Sequence, residues 1–329
     1  MKALVTGGAG YIGSHTCKAL AAEGHETLVY DDLSSGHREF ARYGEFVQGN
    51  ILDTGKLAAT IRKWRPDVII HFAAHSIVGE SVRDPGKYFR NNVGGALSML
   101  EAMRDGNVKN IVVSGSSAVY GQPESVPIGE TQPLRPINPY GETKLIMENM
   151  LADFARAHDI RWTSLRYFNA AGSDPDGEIG ELHFPETHLV PRVIMAALGI
   201  LPGLEIYGDD YPTEDGTCIR DYIHVNDLAR AHILAAARLL GGGGSVALNL
   251  GTRKGASVRE IIMKVQEISG KKIPVSVRER RPGDPPRLIA DASLAARELG
   301  WTPEKNLGQM LEDAWNFFSS RKSVLESGV

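Results

Sequence analysis

Met1-Lys2-Ala3-Leu4-Val5-Thr6-Gly7-Gly8-Ala9-Gly10-Tyr11-Ile12-Gly13-Ser14-His15 begins the chain, and how this stretch reads decides the fold. Lys2 to Thr6 reads as a short buried strand, and the apolar-periodic run that continues to Ala22 reads as a helix. Between them Gly8, Gly10 and Gly13 satisfy G-x-G-x-x-G, while Gly7, Gly10 and Gly13 satisfy G-x-x-G-x-x-G. A tight strand-to-helix turn calls for glycine, which accepts positive φ and lets backbone N–H groups come close to a pyrophosphate. A glycine pattern alone says little. Set between a strand and a helix, it predicts a dinucleotide-binding loop.

Outward from that loop, Glu26 to Tyr30 reads as a second strand ending in Asp31-Asp32. A carboxylate there accepts hydrogen bonds from both hydroxyls of an adenosine ribose and repels a 2′-phosphate, so Asp31 predicts NAD rather than NADP. Arg38, which could recruit a phosphate, lies beyond Gly36 in the following loop. Phe46-Val47 precede Gly49-Asn50-Ile51, Leu57 to Trp64 reads as a helix, and Asp67 to Ala74 as a buried strand running into small residues. Asn91 to Arg104 then reads as a helix and Ile111 to Ser114 as a strand. Such alternation predicts an α/β fold built on a doubly wound parallel Rossmann sheet, whose ligands sit at the carboxyl ends of the strands. Gly7 to Gly13, Asp31, Ala73-Ala74 and Ser116 should therefore converge on one edge. Beyond Phe168 the alternation weakens and Gly, Pro and acidic loops multiply. We expect an NAD-binding domain over 1–168 and a smaller, mixed α/β C-terminal substrate lobe over 169–329, with some of its segments returning to pack on the first domain.

Composition narrows the class. The 329 residues are 42% apolar with a net charge of -4, which leaves no footprint for nucleic acid or a membrane surface. Cys17 and Cys218 are the only cysteines, too few for a disulfide framework or a Cys-based zinc site. The first strand starts at residue 2, leaving no room for a targeting peptide, and the most apolar stretch, Val193 to Leu204, is too short to span a bilayer. A cytoplasmic protein is expected.

Of ten tyrosines only Tyr140 has a lysine four residues later, in Tyr140-Gly141-Glu142-Thr143-Lys144. This stretch opens a helix after Asn138-Pro139, and i,i+4 spacing puts both side chains on one face. A neighbouring ammonium and a positive nicotinamide ring both favour phenolate. Moving a phenol from about 10 to about 7 requires roughly 4 kcal/mol of differential stabilisation. Ser116, just past the strand ending at Ser114, can bridge a sugar oxygen and the tyrosine oxygen and give proton transfer a short path.

With these residues in hand, the chain resembles the extended short-chain dehydrogenase/reductase superfamily. Further stretches narrow the likeness: Arg166-Tyr167-Phe168-Asn169, Gly208-Asp209-Asp210-Tyr211-Pro212-Thr213, Arg220-Asp221-Tyr222-Ile223-His224-Val225 and Arg280-Arg281-Pro282-Gly283-Asp284. Together with Gly7 to His15 they are similar to the UDP-glucose (UDP-galactose) 4-epimerase family from residue 1 to about 318. That resemblance implies catalysis by Tyr140, Lys144 and Ser116. It implies NAD held by Gly7, Gly10, Tyr11, Ile12, Gly13, Asp31, Asp32, Asn50, Ile51, Phe72, Ala73, Ala74, Asn91, Ser114, Tyr140, Lys144 and Tyr167. On the substrate side Arg220 and Arg281 suit a diphosphate, because a guanidinium fork makes paired hydrogen bonds to phosphate oxygens. The resemblance adds Asn169 at the diphosphate, Asp284 at the uridine ribose, Leu189 and Tyr207 beside the uracil, and His188, Ser116 and Tyr140 in the same site.

Two departures stand out. The family commonly carries a lysine within the stretch matched by Phe72 to Ser81, where this chain has His75 and Ser76. Leu288 lies where relatives carry either tyrosine or something smaller, so N-acetylated UDP-hexosamines are expected to fit. UDP-xylose and UDP-arabinose stay open as substrates, since the motifs read the nucleotide better than carbon 6 of the sugar. A dehydratase would need an acidic residue beside Ser116, and Ser117-Ala118 supply none. A catalytically dead NAD sensor would tend to lose the tyrosine and lysine that this chain keeps. Glu181, His183, Glu186 and His188 are metal-ligating types, yet without an i,i+4 pair or an evident second shell they read as a substrate-lobe loop, and no metal is expected. The helix from Tyr140 to His158 carries an apolar arc, with Ile146, Met150 and Phe154 widening it past a single stripe, and a homodimer is expected through it.

Overall fold

The computed structural model describes residues 1–281 and 283–327. Pro282, part of the Arg280 to Asp284 motif, lies outside the described residues. Lys2–Thr6 is the strand around which the sheet is built: it pairs in parallel with Glu26–Asp31 on one side and Val68–His71 on the other. Because successive strand side chains face opposite ways, Ala3 and Val5 enter one core while Leu4 enters another. The first core includes Cys17 and Leu20 from the helix Tyr11–Ala22 and Leu228 and Leu239 from the helix Val225–Leu240. The second is filled from the helices Thr54–Trp64, Gly95–Gly106 and Pro139–His158 by Leu57, Ile61, Met99, Leu100, Met147 and Leu151. Helices on both faces of an all-parallel sheet make the doubly wound architecture.

Across the sheet the strands run 246–250, 161–167, 110–114, 68–71, 2–6, 26–31 and 45–48. The chain moves from 2–6 to one side and then resumes at 68–71 on the other, so a crevice opens between the carboxyl ends of those two strands, where α/β sheets hold ligands. One helix departs from its expected outline. The segment expected to be helical from Asn91 begins as a wider turn over Phe89–Gly94, and regular helix runs over Gly95–Gly106. A widened turn re-aims the side chains it carries, and here it brings Asn91 into the crevice wall.

The second half mixes two allegiances. Val225–Leu240 and Val246–Leu250 join the first sheet and its core, and Trp301 is sealed into that core with its indole N–H on the Asp227 carbonyl, 2.9 Å away. The helices Leu189–Ala197, Val258–Ser269 and Leu307–Ser320 instead gather around their own cluster, which includes Val193, Ile194, Ile261, Val265, Phe317 and Phe318. Short parallel pairs, 204–207 with 275–278 and 169–171 with 222–224, and a mixed three-stranded sheet of 256–257, 219–220 and 287–288 belong to this half.

A buried ion pair braces the helix that carries the tyrosine. Glu148 takes Arg166 Nε at 2.9 Å and a second bond from the same guanidinium, and Ser164 Oγ donates to it at 2.7 Å. Arg166 continues to the Tyr120 hydroxyl at 2.9 Å, which donates to Asn249 at 2.7 Å. Removing one partner strands a charge that water cannot reach. Glu148→Ala is therefore expected to lower unfolding free energy by about 3–5 kcal/mol, and Glu148→Ala with Arg166→Met by clearly less. Chemical denaturation checks both; equal losses would contradict the pairing.

Candidate active site

The glycine loop is built by contacts that exclude larger side chains. Gly7 has φ +72°, and a Cβ on it would lie 2.6 Å from the Ala73 nitrogen. A Cβ on Gly13 would lie 2.2 Å from the Gly7 carbonyl oxygen, so helix and loop touch backbone to backbone. Gly10 differs: a Cβ there meets only the Gly7 oxygen, at 3.4 Å, and otherwise points into open space. Gly10 is also the N-cap of the helix Tyr11–Ala22, with no side chain capping it and no acidic residue in its first turn. The N–H groups of Tyr11, Ile12 and Gly13 thus face an anion-ready end.

Around this loop the expected cofactor residues assemble. The Asp31 carboxylate accepts the Ala9 N–H at 3.0 Å and the Leu33 N–H at 2.8 Å, and burial raises its pKa. It therefore holds the loop's shape at the carboxyl end of the second strand. Asp32 accepts the Ser34 N–H at 2.9 Å and the Asn50 amide at 2.7 Å. Asp32, Asn50, His75 and Asn91 line a cavity of about 450 Å³ together with Lys87 and Arg90. The stretch at His75-Ser76 lacks the family's lysine, and the cations on this wall come instead from Lys87, paired with Glu80 at 2.7 Å, and Arg90. Ile51 is buried in the second core, Phe72 takes up the strand edge through its N–H to the Thr6 carbonyl at 2.9 Å, Ala73 abuts Gly7, and Ile12 packs partly buried against the first core, its carbonyl accepting the Thr16 hydroxyl at 2.9 Å.

The catalytic candidates meet at the same edge. Tyr140 lies in the first turn of the helix Pro139–His158, capped by Asn138, whose side chain accepts the Gly141 N–H at 2.9 Å. Ser116 Oγ accepts the Ala118 N–H at 3.1 Å and stands close enough to the Tyr140 phenol to favour its ionisation. Lys144 is 3% exposed, and its ammonium donates to the Ser114 carbonyl at 2.7 Å, 5.8 Å from the centre of the Tyr140 ring. Ser114 Oγ is bonded to the Tyr167 hydroxyl. Burial holds the Tyr140 phenol above its ordinary value, with the Ser116 hydroxyl working the other way.

Burial also pushes the Lys144 ammonium down to about 8, against a partial pull upward from Glu148. Between pH 8 and 10.5 the unfolded chain then keeps a proton that the folded chain has lost, so Lys144's contribution to stability rises with pH across that window. Relative to Lys144→Met, the protein should gain up to about 3 kcal/mol of unfolding free energy from pH 7.5 to 10.5. Denaturation of both proteins at several pH values measures it; parallel curves would refute the shifted amine.

The second half supplies a polar group of its own. Arg220, on the short strand Ile219–Arg220, pairs with Asp284, and Arg281 stacks 4.2 Å above the Tyr207 ring. Leu288 lies beside Arg220 in register on the strand Arg287–Leu288. Asn169 spends its amide on the Asp221 carbonyl at 3.1 Å. Leu189 begins the helix Leu189–Ala197 with His188 as its N-cap, and His188 turns Nδ1 toward Glu181 and Glu186. Arg220, Asp284, Arg281, Tyr207 and Leu288 form one group; His188 and Asn169 face partners of their own.

The supporting residues carry no sequence periodicity and were missed. Asn92 is buried and holds the His75 backbone at both ends, 2.9 and 3.0 Å, while reaching Thr143 at 3.1 Å. Ser81 accepts the Tyr140 N–H at 3.2 Å. Asp221 accepts N–H groups from Thr252, Arg253 and Ala290, fixing the neck that carries Arg220. Their one visible trace was a polar residue inside an otherwise apolar neighbourhood.

Fold and site together define a dinucleotide-dependent enzyme of the Rossmann class with a serine, tyrosine and lysine centre. Residues 3–251 match the model of the NAD dependent epimerase/dehydratase family, and the chain belongs to that family. It is 49% identical over 314 residues to a UDP-glucose 4-epimerase of Rhizobium leguminosarum bv. trifolii, covering 95% of this chain and 96% of the other. Among solved structures, UDP-glucose 4-epimerase from Brucella ovis in complex with NAD superposes with a TM-score of 0.95 at 55% identity, covering 96% and 98% of the two chains. The Stenotrophomonas maltophila enzyme, with bound NAD and formylated UDP-arabinopyranose, gives 0.95 at 41% identity, covering 98% and 99%. The family is NAD dependent, and the open space over Gly10 against the closed contacts at Gly7 and Gly13 fits a dinucleotide.

Proposed function

We propose that the protein interconverts UDP-glucose and UDP-galactose by transient oxidation at sugar C4, keeping NAD bound between turnovers. The observation that carries this reading is the Tyr140 and Lys144 pair beside Ser116, with Leu288, in register with Arg220, packed on the same apolar cluster as Leu145 and the Val119 and Tyr120 that follow Ser116. When bound, NAD supplies a hydride acceptor and donor and a positive ring beside the phenol. Tyr140 takes the proton from the sugar 4-hydroxyl and later returns it, with Ser116 bridging the two oxygens. Lys144, anchored on the Ser114 carbonyl, holds positive charge beneath the Tyr140 ring. Arg220 and Arg281 hold the diphosphate, and Asp284 turns from Arg220 to the ribose. Since the firm contacts fall on the nucleotide, the 4-keto sugar is left loose enough to present its other face. His188, Leu189 and Asn169 complete the substrate's surroundings, and the division at residue 168 into nucleotide and sugar lobes is part of the same reading.

Protein purified and given UDP-galactose without added cofactor is expected to form UDP-glucose. Absence of product with NAD supplied would overturn the reading. Leu288 beside Arg220 favours a second substrate group, the N-acetylated UDP-hexosamines, because leucine leaves more room than tyrosine at the sugar end. UDP-N-acetylglucosamine giving no product under conditions that turn over UDP-glucose would limit the enzyme to plain sugars.

We also propose a homodimer through the helix Pro139–His158 and its neighbour Gly95–Gly106, on which Leu97 is 42% exposed beside the partly covered Ile146, Met150 and Phe154. No described helix is long and apolar enough to cross a membrane, and both cysteines are unpaired, which suits a reducing cytoplasm.

A further inference from the structure

We propose that Glu181, His183, Glu186 and His188 form a structural site for a divalent transition metal, zinc by its donor set. The chain's spacing hides this: no two of the four stand i,i+4 on a helix, because all come from the loop that ends in the N-cap of Leu189–Ala197. The fold nevertheless brings one ligating atom of each within 4.8 Å of all the others. His188 Nδ1 lies 2.8 Å from Glu181 Oε1 and 2.9 Å from Glu186 Oε1. His183 Nδ1 lies 3.4 Å from Glu181 Oε1 and 3.6 Å from Glu186 Oε2. A tetrahedron with metal–ligand arms of about 2.0–2.1 Å has edges of about 3.3–3.4 Å, and the separations among His188 Nδ1, His183 Nδ1, Glu181 Oε1 and Glu186 Oε2, at 2.8, 3.4 and 3.6 Å, lie on either side of that value.

Burial supplies the second, independent observation. The Glu181 and Glu186 side chains are only 6% and 5% exposed. His183 Nδ1 and Glu186 Oε2 are buried atoms with no hydrogen bond among the described residues, and they stand 3.6 Å apart, in ion-pair range of each other. Buried polar atoms without a hydrogen bond are rare unless something occupies the gap. The surroundings are those of a held ligand. Glu186 Oε1 accepts the Thr187 and His188 N–H groups, each at 2.7 Å, which fixes the carboxylate and leaves Oε2 for the metal. Two imidazole nitrogens and two carboxylate oxygens neutralise a dication and suit zinc better than calcium or magnesium.

The site sits where the two halves of the chain meet. Its carboxylates lie close enough to Tyr11 to help raise that phenol's pKa, and the Tyr11 hydroxyl reaches the Gly172 carbonyl at 2.6 Å. His37 contacts the Leu182 carbonyl at 2.9 Å. A metal there would pin the 181–188 loop, and with it Leu189, against the dinucleotide loop. It takes no part in the proton transfer at Tyr140; the proposal shares His188 with the substrate reading, and zinc content, which does not depend on turnover, tests it separately.

Tag-free protein purified without chelators should contain a stoichiometric equivalent of zinc per chain by elemental analysis. Stripped protein should rebind zinc with a rise in melting temperature, and cobalt should bring the visible absorption of a four-coordinate ion. Glu186→Gln, nearly the same shape, should retain less than about a tenth of an equivalent and lose the cobalt spectrum, whereas Tyr140→Phe should bind metal like the unaltered protein. Failure of the unaltered protein to retain or rebind zinc would mean a cluster held by shared protons only, and would overturn the proposal. Equal uptake by Glu186→Gln would place the metal elsewhere and overturn it too. If Glu186→Gln misfolds, the zinc content and cobalt spectrum of the unaltered protein decide the matter.

Discussion

Tyr140→Phe is expected to lower turnover of UDP-galactose by a factor of about 10²–10⁴ while leaving bound NAD and UDP affinity nearly unchanged. The substitution removes one oxygen and little else. Phenylalanine keeps the ring beside the Lys144 ammonium, and the Asn138 cap and the Ser81 contact to the backbone of residue 140 are indifferent to the side chain. Lys144 stays on the Ser114 carbonyl. Lost with the oxygen is the proton acceptor at the 4-hydroxyl, which Ser116, a neutral alcohol, cannot replace. Kinetics with UDP-galactose, together with the absorbance of retained cofactor, separate the two effects. Near-normal turnover would refute the role given to Tyr140, and loss of NAD would show that the residue serves binding first.

Gly13→Ala and Gly10→Ala should fail in different ways, and the contrast tests the cofactor cradle. At Gly13 even one methyl group meets the Gly7 carbonyl oxygen at 2.2 Å and the Gly8 Cα at 2.8 Å. Neither can withdraw, since Gly7 is tied by its N–H to the Tyr30 carbonyl at 2.9 Å and stands against Ala73. Overpacking backbone against backbone at the centre of the sheet should cost at least about 3 kcal/mol of stability. Gly10 has φ -83° and an ordinary contact at 3.4 Å, so alanine there fits the folded chain with a change of under about 1 kcal/mol. Its methyl group instead fills the space over the helix end, and the protein should purify folded but without NAD. Thermal melts and cofactor absorbance distinguish them. A Gly10→Ala protein that keeps its NAD would remove the dinucleotide from that position.

The parts of this molecule legible in its sequence are those written in local pattern. The glycine loop, the acidic end of the second strand and the Tyr140 to Lys144 spacing each depend on a few neighbouring residues, and each falls where the pattern puts it. The parallel sheet was legible for the same reason, since its buried strands are short apolar runs. Other features depend on distant partners or on loop shape. The return of Val246–Leu250 to the sheet shows only as a strand-like run among many. The turn over Phe89–Gly94 looks like ordinary helix until hydrogen bonding is seen to widen. The direction in which Tyr140 shifts could not be read from the nearby lysine, because it is set by burial, which depends on the whole fold, and the ammonium's own hydrogen bond goes to the Ser114 carbonyl. Glu181, His183, Glu186 and His188 carried the right chemistry, but only the folded loop shows that they share a point.

Val246–Leu250 also bears on how the chain is made. Its partner, Arg161–Tyr167, emerges from a ribosome some eighty residues earlier, so one flank of the nascent sheet waits with unpaired backbone groups. A polypeptide cut after Phe168 would keep that flank open permanently and lose the Leu228 and Leu239 packing on the same face. Expression of the first 168 residues alone should therefore give aggregate, and co-production with the remainder should recover soluble material. In this chain the later half finishes the earlier one, and neither half is an independent inheritance.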